Sequence, residues 1–248
     1  MPYVPRLTGT LAGRTVVVTR AAEQASTLVG RLRERGATVV EVPTIAIAEP
    51  ADAGAALAAA ISRLDDVDWV VLTSTNGADR FLAALGGRTP PPIAVVGPGT
   101  AAAVRAAGIE PALVPERFVA EGLLASFPSG PGRVLLPQAE GARPVLAGGL
   151  RAAGWEVEAV VAYRTLTADP PPATIERARG ADAITFTSGS TVTGYLAAAG
   201  AGAVPPVVVC IGPVTADAAE AAGLAVAAVA TEHTIEGLVA ALEVVLAP

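Results

Sequence analysis

Along the chain, short runs of Val, Ile and Leu alternate with longer alanine-rich stretches in which polar residues recur at helical spacing. That alternation predicts repeated βα units and parallel sheet. Strands are predicted at 15–19, 38–42, 69–73, 93–96, 112–114, 134–136, 157–162, 183–187, 207–211 and 225–230. Several are apolar without interruption, as strands covered on both faces are. A helix is predicted over 21–35, with Leu28 and Leu32 inward, Arg31 and Arg35 outward and Gly36 as its stop. A matching helix over 143–153 is stopped by Gly154. Residues 187–216 carry no charge, but Gly189, Gly194, Gly200, Gly202, Pro205, Pro206 and Pro213 interrupt them. They read as two buried elements joined by a turn rather than a membrane span.

The two helices belong to a larger repetition. Arg14 matches Arg133 at an offset of 119, and Leu32, Arg33 and Gly36 match Leu150, Arg151 and Gly154 at 118. Thr73-Ser74 matches Thr187-Ser188 at 114, and Gly97-Pro98 with Thr100 matches Gly212-Pro213 with Thr215 at 115. Glu121-Gly122-Leu123 returns as Glu236-Gly237-Leu238 at the same offset. Motifs recurring in order with small drifts mark an internal duplication. Each half holds a βαβ piece, a proline-punctuated break at 43–50 or 165–172, and a longer βα run. The chain either crosses between two sheets at the breaks or forms two consecutive domains. Both arrangements put ligands beyond the carboxyl ends of the strands, where Arg20, Thr73-Ser74, Gly97, Gln138, Thr187-Ser188 and Gly212 stand.

Composition narrows the chemistry. The 248 residues are 52% hydrophobic and 16% charged, enough to bury a sizeable core in one large or two ordinary domains. All 17 basic residues are arginine, and there is one histidine, His233, and one cysteine, Cys210. Absent lysine excludes a Schiff base and a P-loop lysine, a single cysteine excludes an internal disulfide, and one His with one Cys cannot build a zinc site. A net charge of −6 argues against nucleic acid. Residues 1–13 lack the basic start and apolar run of a secretory signal, so a cytoplasmic protein is expected.

The runs Val-Val-Val-Thr-Arg at 16–20, Trp-Val-Val-Leu-Thr-Ser-Thr-Asn at 69–76, Val-Val-Gly-Pro-Gly-Thr at 95–100, Ala-Tyr-Arg-Thr at 162–165, Thr-Phe-Thr-Ser at 185–188 and Cys-Ile-Gly-Pro-Val-Thr at 210–215 carry a resemblance. In order and spacing, over roughly residues 13–246, the chain resembles the uroporphyrinogen-III synthases. The resemblance implies two flavodoxin-like, doubly wound α/β domains of discontinuous chain. One would comprise 1–44 with 168–248 and the other 45–167, joined by a two-stranded linker at 43–50 and 163–172. It implies a cofactor-independent, metal-free cyclisation of hydroxymethylbilane to uroporphyrinogen III, with inversion of ring D through a spiro-pyrrolenine. A monomer without nucleic-acid or membrane partners is expected, in transient contact with hydroxymethylbilane synthase. The alternative is a non-catalytic bilobed regulatory protein that binds a small anion or a tetrapyrrole.

Hydroxymethylbilane carries eight carboxylates and a hydroxymethyl group made labile by its own pyrrole nitrogen. Loss of hydroxide needs a proton and little else; steering the closure is a matter of orientation. Tyr163, at a strand end in the family's Tyr-x-Thr position, is the candidate acid. Thr100 and Thr215, after Gly-Pro at helix starts, and Ser74 and Ser188 in the parallel turns, are candidates for binding carboxylates with free backbone N–H groups. The same residues serve as ordinary helix caps. Gly97 and Gly212 permit close backbone approach, Gln138 stands at a strand end, and Arg20 and Arg164 offer charge-assisted bonds. Asn76 replaces a basic residue that follows the Thr-Ser turn in some relatives, with Arg80 one turn on as a substitute. His233, in a polar turn, is expected to be solvated and Cys210 to be core.

Overall fold

The computed structural model describes residues 9–247. Residues 1–8, part of the segment considered for an export signal, lie outside them. In chain order the elements are β1 (Thr15–Val18), α1 (Ala22–Glu34), β2 (Thr38–Glu41), β3 (Ile45–Ala48), α2 (Ala55–Ser62), β4 (Trp69–Leu72), α3 (Thr75–Leu85), β5 (Ile93–Val95), α4 (Pro98–Ala106) and α5 (Ala120–Ser126). They continue with β6 (Gly132–Ala139), α6 (Val145–Ala152), β7 (Trp155–Thr167), α7 (Pro172–Arg179), β8 (Ala183–Phe186), α8 (Gly189–Ala199), β9 (Val207–Cys210), α9 (Pro213–Ala221), β10 (Val226–Val229) and α10 (Ile235–Val245). The chain divides into two compact units, residues 1–46 with 166–248, and residues 47–165.

In the first unit a five-stranded sheet has the order β10-β9-β8-β1-β2, every pairing parallel. Its faces are separate apolar layers. Leu28, Leu32, Leu238 and Leu242 from α1 and α10 cover one. Ile175, Val192, Tyr195 and Ala219 from α7, α8 and α9 cover the other. The second sheet runs β3-β7-β6-β4-β5, with β4, β5, β6 and β7 parallel. Leu57, Phe81 and Val104 from α2, α3 and α4 lie on one face, and Leu123, Leu146 and Leu150 from α5 and α6 on the other. Burial on both faces is why these strands read as unbroken Val/Ile/Leu runs. Fully burying each such side chain stabilises by roughly 1.5–3 kcal/mol.

The structure departs from the sequence reading in several places. The expected strand at 112–114 is reduced to a single parallel bridge between Ala94 and Leu113, because Pro111 and Pro115 leave only three residues to extend. Conversely, β3 forms inside the proline-punctuated break, where Ile45-Ala-Ile-Ala is too short to signal a strand by itself. β7 runs 13 residues, past its expected end at 162. The uncharged stretch resolves into α8, a short 3-10 turn over Ala201–Ala203, and β9. No helix among the described residues is long and apolar enough to cross a membrane.

The twin Glu-Gly-Leu motif has a steric cause. A Cβ on Gly122 would lie 2.0 Å from the Arg117 carbonyl oxygen, and one on Gly237 would lie 2.1 Å from that of Glu232. In both halves the loop entering the helix folds back onto the first turn so closely that only glycine fits.

Candidate functional site

In each unit the turns after successive parallel strands gather at the carboxyl edge of the sheet. In residues 47–165, β4 ends at Leu72 and Ser74 caps α3, its Oγ accepting the Gly77 N–H at 3.1 Å. Beside β4, β6 carries Gln138 and pairs with β7, which brings Tyr163 to the same edge. Tyr163 is 7% exposed, and its hydroxyl lies 3.0 Å from Ser74 Oγ. Two positions 89 residues apart are thus brought into contact. Asn76 stands in the first turn of α3, and Gly97 is the extended residue before Pro98 at the start of α4. Thr100, in that first turn, is 5% exposed.

Arg164 is anchored: its Nε donates to the Glu49 carbonyl oxygen at 2.8 Å. The Glu49 carboxylate is ion-paired with Arg80. Arg80, the substitute suggested for the missing basic residue after the Thr-Ser turn, is therefore ion-paired with an acidic residue in the break that no sequence motif singles out. Glu49 is the single acidic residue between Glu41 and Asp52, the one signal by which it stood out.

In the other unit the equivalent edge carries Arg20 after β1, Ser188 after β8, Gly212 after β9 and His233 after β10. Ser188 caps α8 in a reciprocal capping box with Thr191. Gly212 precedes Pro213 at the start of α9, whose first turn holds Thr215 at 5% exposure. Arg20 immediately precedes the Ala21 N-cap of α1, which supplies no side-chain cap. Its Nε is buried without a hydrogen-bond partner among the described residues, and burial pushes the guanidinium below its ordinary basicity. An arginine held back from water at an uncapped helix start favours an incoming anion.

His233 is partly rather than fully solvated. Its ring atoms Cδ2, Cγ and Nδ1 lie 3.3–3.4 Å from the point a Cβ on Gly212 would occupy, and partial burial lowers its basicity. The polar Thr-Glu-His-Thr turn concealed this, because the contact comes from the neighbouring strand end. Thr44, also missed, is fully buried, its single Oγ1 proton shared between the carbonyls of Thr19 at 3.3 Å and Thr191 at 3.4 Å. Cys210 is core as expected, burial pushing its thiol up to about 11.

A separate open depression of about 580 Å³ in residues 47–165 is lined by Asp52, Ala59, Arg63, Glu140 and Glu158 among others and includes none of the strand-end residues above. Arg63 and Glu158 pair across it at 2.8 Å.

The arrangement can donate a proton from a buried phenol and receive anions at uncapped or glycine-led helix starts. Comparison with known proteins identifies the family. The family described as uroporphyrinogen-III synthase HemD matches residues 26–240. A uroporphyrinogen-III synthase of Synechococcus elongatus is 34% identical over 94% of this chain and 96% of its own. A mutant uroporphyrinogen III synthase of the extremely thermophilic bacterium Thermus thermophilus shares the fold at TM-score 0.65, with 21% identity over 94% of this chain and 99% of that one. The uroporphyrinogen-III synthetase of Helicobacter pylori 26695 does so at TM-score 0.60, with 15% identity over the same shares. With the family model spanning both compact units, the chain belongs to the uroporphyrinogen-III synthase family.

Proposed function

We propose that this chain closes hydroxymethylbilane to uroporphyrinogen III with inversion of ring D. The observation that carries the reading is the buried Tyr163 phenol beside the helix-capping Ser74 at the carboxyl edge of a parallel sheet, in a chain of this family. Tyr163 donates its proton to the departing hydroxyl, the C–O bond breaks with its electron pair leaving as water, and an azafulvenium remains. The substituted carbon of ring D attacks, giving the spiro-pyrrolenine, which fragments and recloses. The proton lost as the ring regains aromaticity restores the phenol. The task left to the protein is orientation: each tenfold preference for the inverted isomer corresponds to roughly 1.4 kcal/mol between competing barriers.

The substrate carboxylates are received by Arg20, Asn76, Gln138 and Arg164, and at the helix starts led by Gly97 with Thr100, Ser188, and Gly212 with Thr215. Ser74 enters this set through Tyr163. Supporting the assignment are the Nε of Arg20, without a partner among the described residues, and the start of α4, which has no side-chain cap; at the start of α9 the Thr215 N–H is already accepted by the Gly212 carbonyl at 3.1 Å, which corrects its reading as a free donor. In this reading Arg164, held through Nε by the Glu49 carbonyl, takes a carboxylate with its terminal nitrogens.

We also read the two units as flavodoxin-like domains of discontinuous chain joined by two strands. The order β2-β1-β8-β9-β10, which numbers 2-1-3-4-5 within its unit, supports this. A cytoplasmic monomer taking its substrate by transient contact with hydroxymethylbilane synthase completes the reading, since a bilane that closes spontaneously to the wrong isomer favours a short transfer. The test is direct: protein supplied with bilane generated in situ yields the type III isomer. Type I alone, as in the absence of protein, overturns the proposal.

A further inference from the structure

The turn after β4 and its duplicate after β8 begin from the same plan and differ in one respect. Ser74 and Ser188, related by the 114-residue offset, each cap a helix through Oγ, accepting the Gly77 N–H at 3.1 Å and the Thr191 N–H at 3.3 Å. In the second turn Thr191 Oγ1 accepts the Ser188 N–H at 3.3 Å and donates to the Ser188 carbonyl at 2.8 Å, so the cap is reciprocal. The side chain that reaches α8 from the end of the neighbouring strand segment is Thr44, whose hydroxyl goes to backbone carbonyls. In the first turn glycine replaces Thr191, the cap is one-sided, and the serine hydroxyl meets the phenol at 3.0 Å. Capping a helix here does not require the phenol, because Ser188 does so without one.

Counting protons limits what the Ser74 hydroxyl can do. It has one proton and two lone pairs, and the Gly77 N–H occupies one lone pair. The first turn of α3 presents further N–H donors and no free carbonyl. The Ser74–Tyr163 bond therefore has two senses. When Ser74 donates, the phenol proton points away from the serine, free for an acceptor. When the phenol has given its proton up, the same serine proton and the positive end of α3 behind it hold the phenolate oxygen. Gly77 keeps the arrangement open: a Cβ there would stand 3.3 Å from Ser74 Oγ and 3.2 Å from the Pro137 carbonyl oxygen.

We propose that Ser74 is a positioning residue for the cyclisation, aiming the Tyr163 proton at the leaving hydroxyl and holding the phenolate until its proton returns. The inference rests on Tyr163 being the proton donor in the function proposed above. No bond to Ser74 forms or breaks. It supplies one hydrogen bond that strengthens as charge develops on the phenol oxygen.

A double-mutant cycle of the full-length protein with bilane generated in situ tests it, reading kcat, KM and the proportion of type III isomer. Tyr163→Phe is expected to lower kcat about tenfold or more. Ser74→Ala is expected to lower kcat roughly 3- to 10-fold with KM within about twofold, the size of one hydrogen bond. In the Tyr163→Phe background, Ser74→Ala should cost nothing further in kcat, and Ser74→Thr, which keeps hydroxyl and cap, should recover most of the single-variant loss. Full multiplication of the two losses, a rise in KM at unchanged kcat, or a Tyr163→Phe variant as active as the parent overturns the inference. Thermal melts by circular dichroism separate loss of the cap from loss of the relay: with the fold retained, a fall in kcat that survives in the Tyr163→Phe background counts against the proposal. Wild-type protein making only type I isomer removes the functional reading itself, a result distinguishable from an additive cycle on an active enzyme.

Discussion

The imidazole of His233 closes over the backbone of Gly212, at the junction of β9 and α9, with three ring atoms 3.3–3.4 Å from the space a Cβ would fill. Burial lowers its basicity below the ordinary value of 6.5, so the folded protein favours the neutral ring. The unfolded chain then binds a proton more readily than the folded one. The stability this contributes is complete above about pH 6.5 and is lost as pH falls through the lower, folded value. Melting temperature is expected to fall on acidification from about pH 7.5 to about pH 5.0, and less steeply in His233→Gln. Parallel slopes in the two proteins would contradict the assignment.

Arg20 presents a conflict between stability and binding. A guanidinium with a buried, unpartnered Nε costs free energy in the ligand-free fold. Arg20→Met should therefore melt at the same temperature or higher while raising KM for the bilane about tenfold, the loss of one charge-assisted bond. A lower melting temperature with unchanged KM would show that the residue is structural.

The duplicated Glu-Gly-Leu turns make paired steric predictions. Gly122→Ala and Gly237→Ala each drive a methyl group into a backbone carbonyl and are expected to destabilise by about 2 kcal/mol or more. Gly148→Ala, within α6 and with nothing near its Cβ position, should instead stabilise by about 0.5–1 kcal/mol. Denaturant titrations of the three variants check the contrast.

Tyr195 is fully buried, edge-on to Phe186, and donates to the Ala203 carbonyl at 2.8 Å. Burial pushes its phenol up to about 12. Tyr195→Phe leaves that carbonyl unpaired and should cost about 1–2 kcal/mol. Ultraviolet titration should show the step near 12 disappearing from the variant alone.

Helices and strands were legible where a period is long enough to be seen. Leu28 and Leu32 of α1 point inward, Ser74 and Ser188 of the duplicated Thr-Ser turns cap helices, and the Gly-Pro turns start helices without a side-chain cap, because helix starts are settled within four residues. β3 was not legible, since four residues between prolines carry too little alternation. At the site, Tyr163 and Ser74 were each named as candidates, but nothing in their spacing joins them. Glu49 claimed Arg80, and His233 covered Gly212, through contacts that no local pattern records.

The order of residues by itself determined most of the segments that become helix or strand, that most strands are apolar enough to be covered twice, and that motifs recur in order along a chain with hardly any reactive side chains. Tertiary structure decided which strands are neighbours: β1 pairs with β8 and β6 with β4, each across more than half of the duplicated unit. The physical reason lies in the range of the forces. Periodicity and capping act between residues a turn apart and are written in sequence, whereas sheet order and side-chain encounters depend on burying all the apolar faces at once. That long-range solution sets a tyrosine hydroxyl beside a serine 89 positions away.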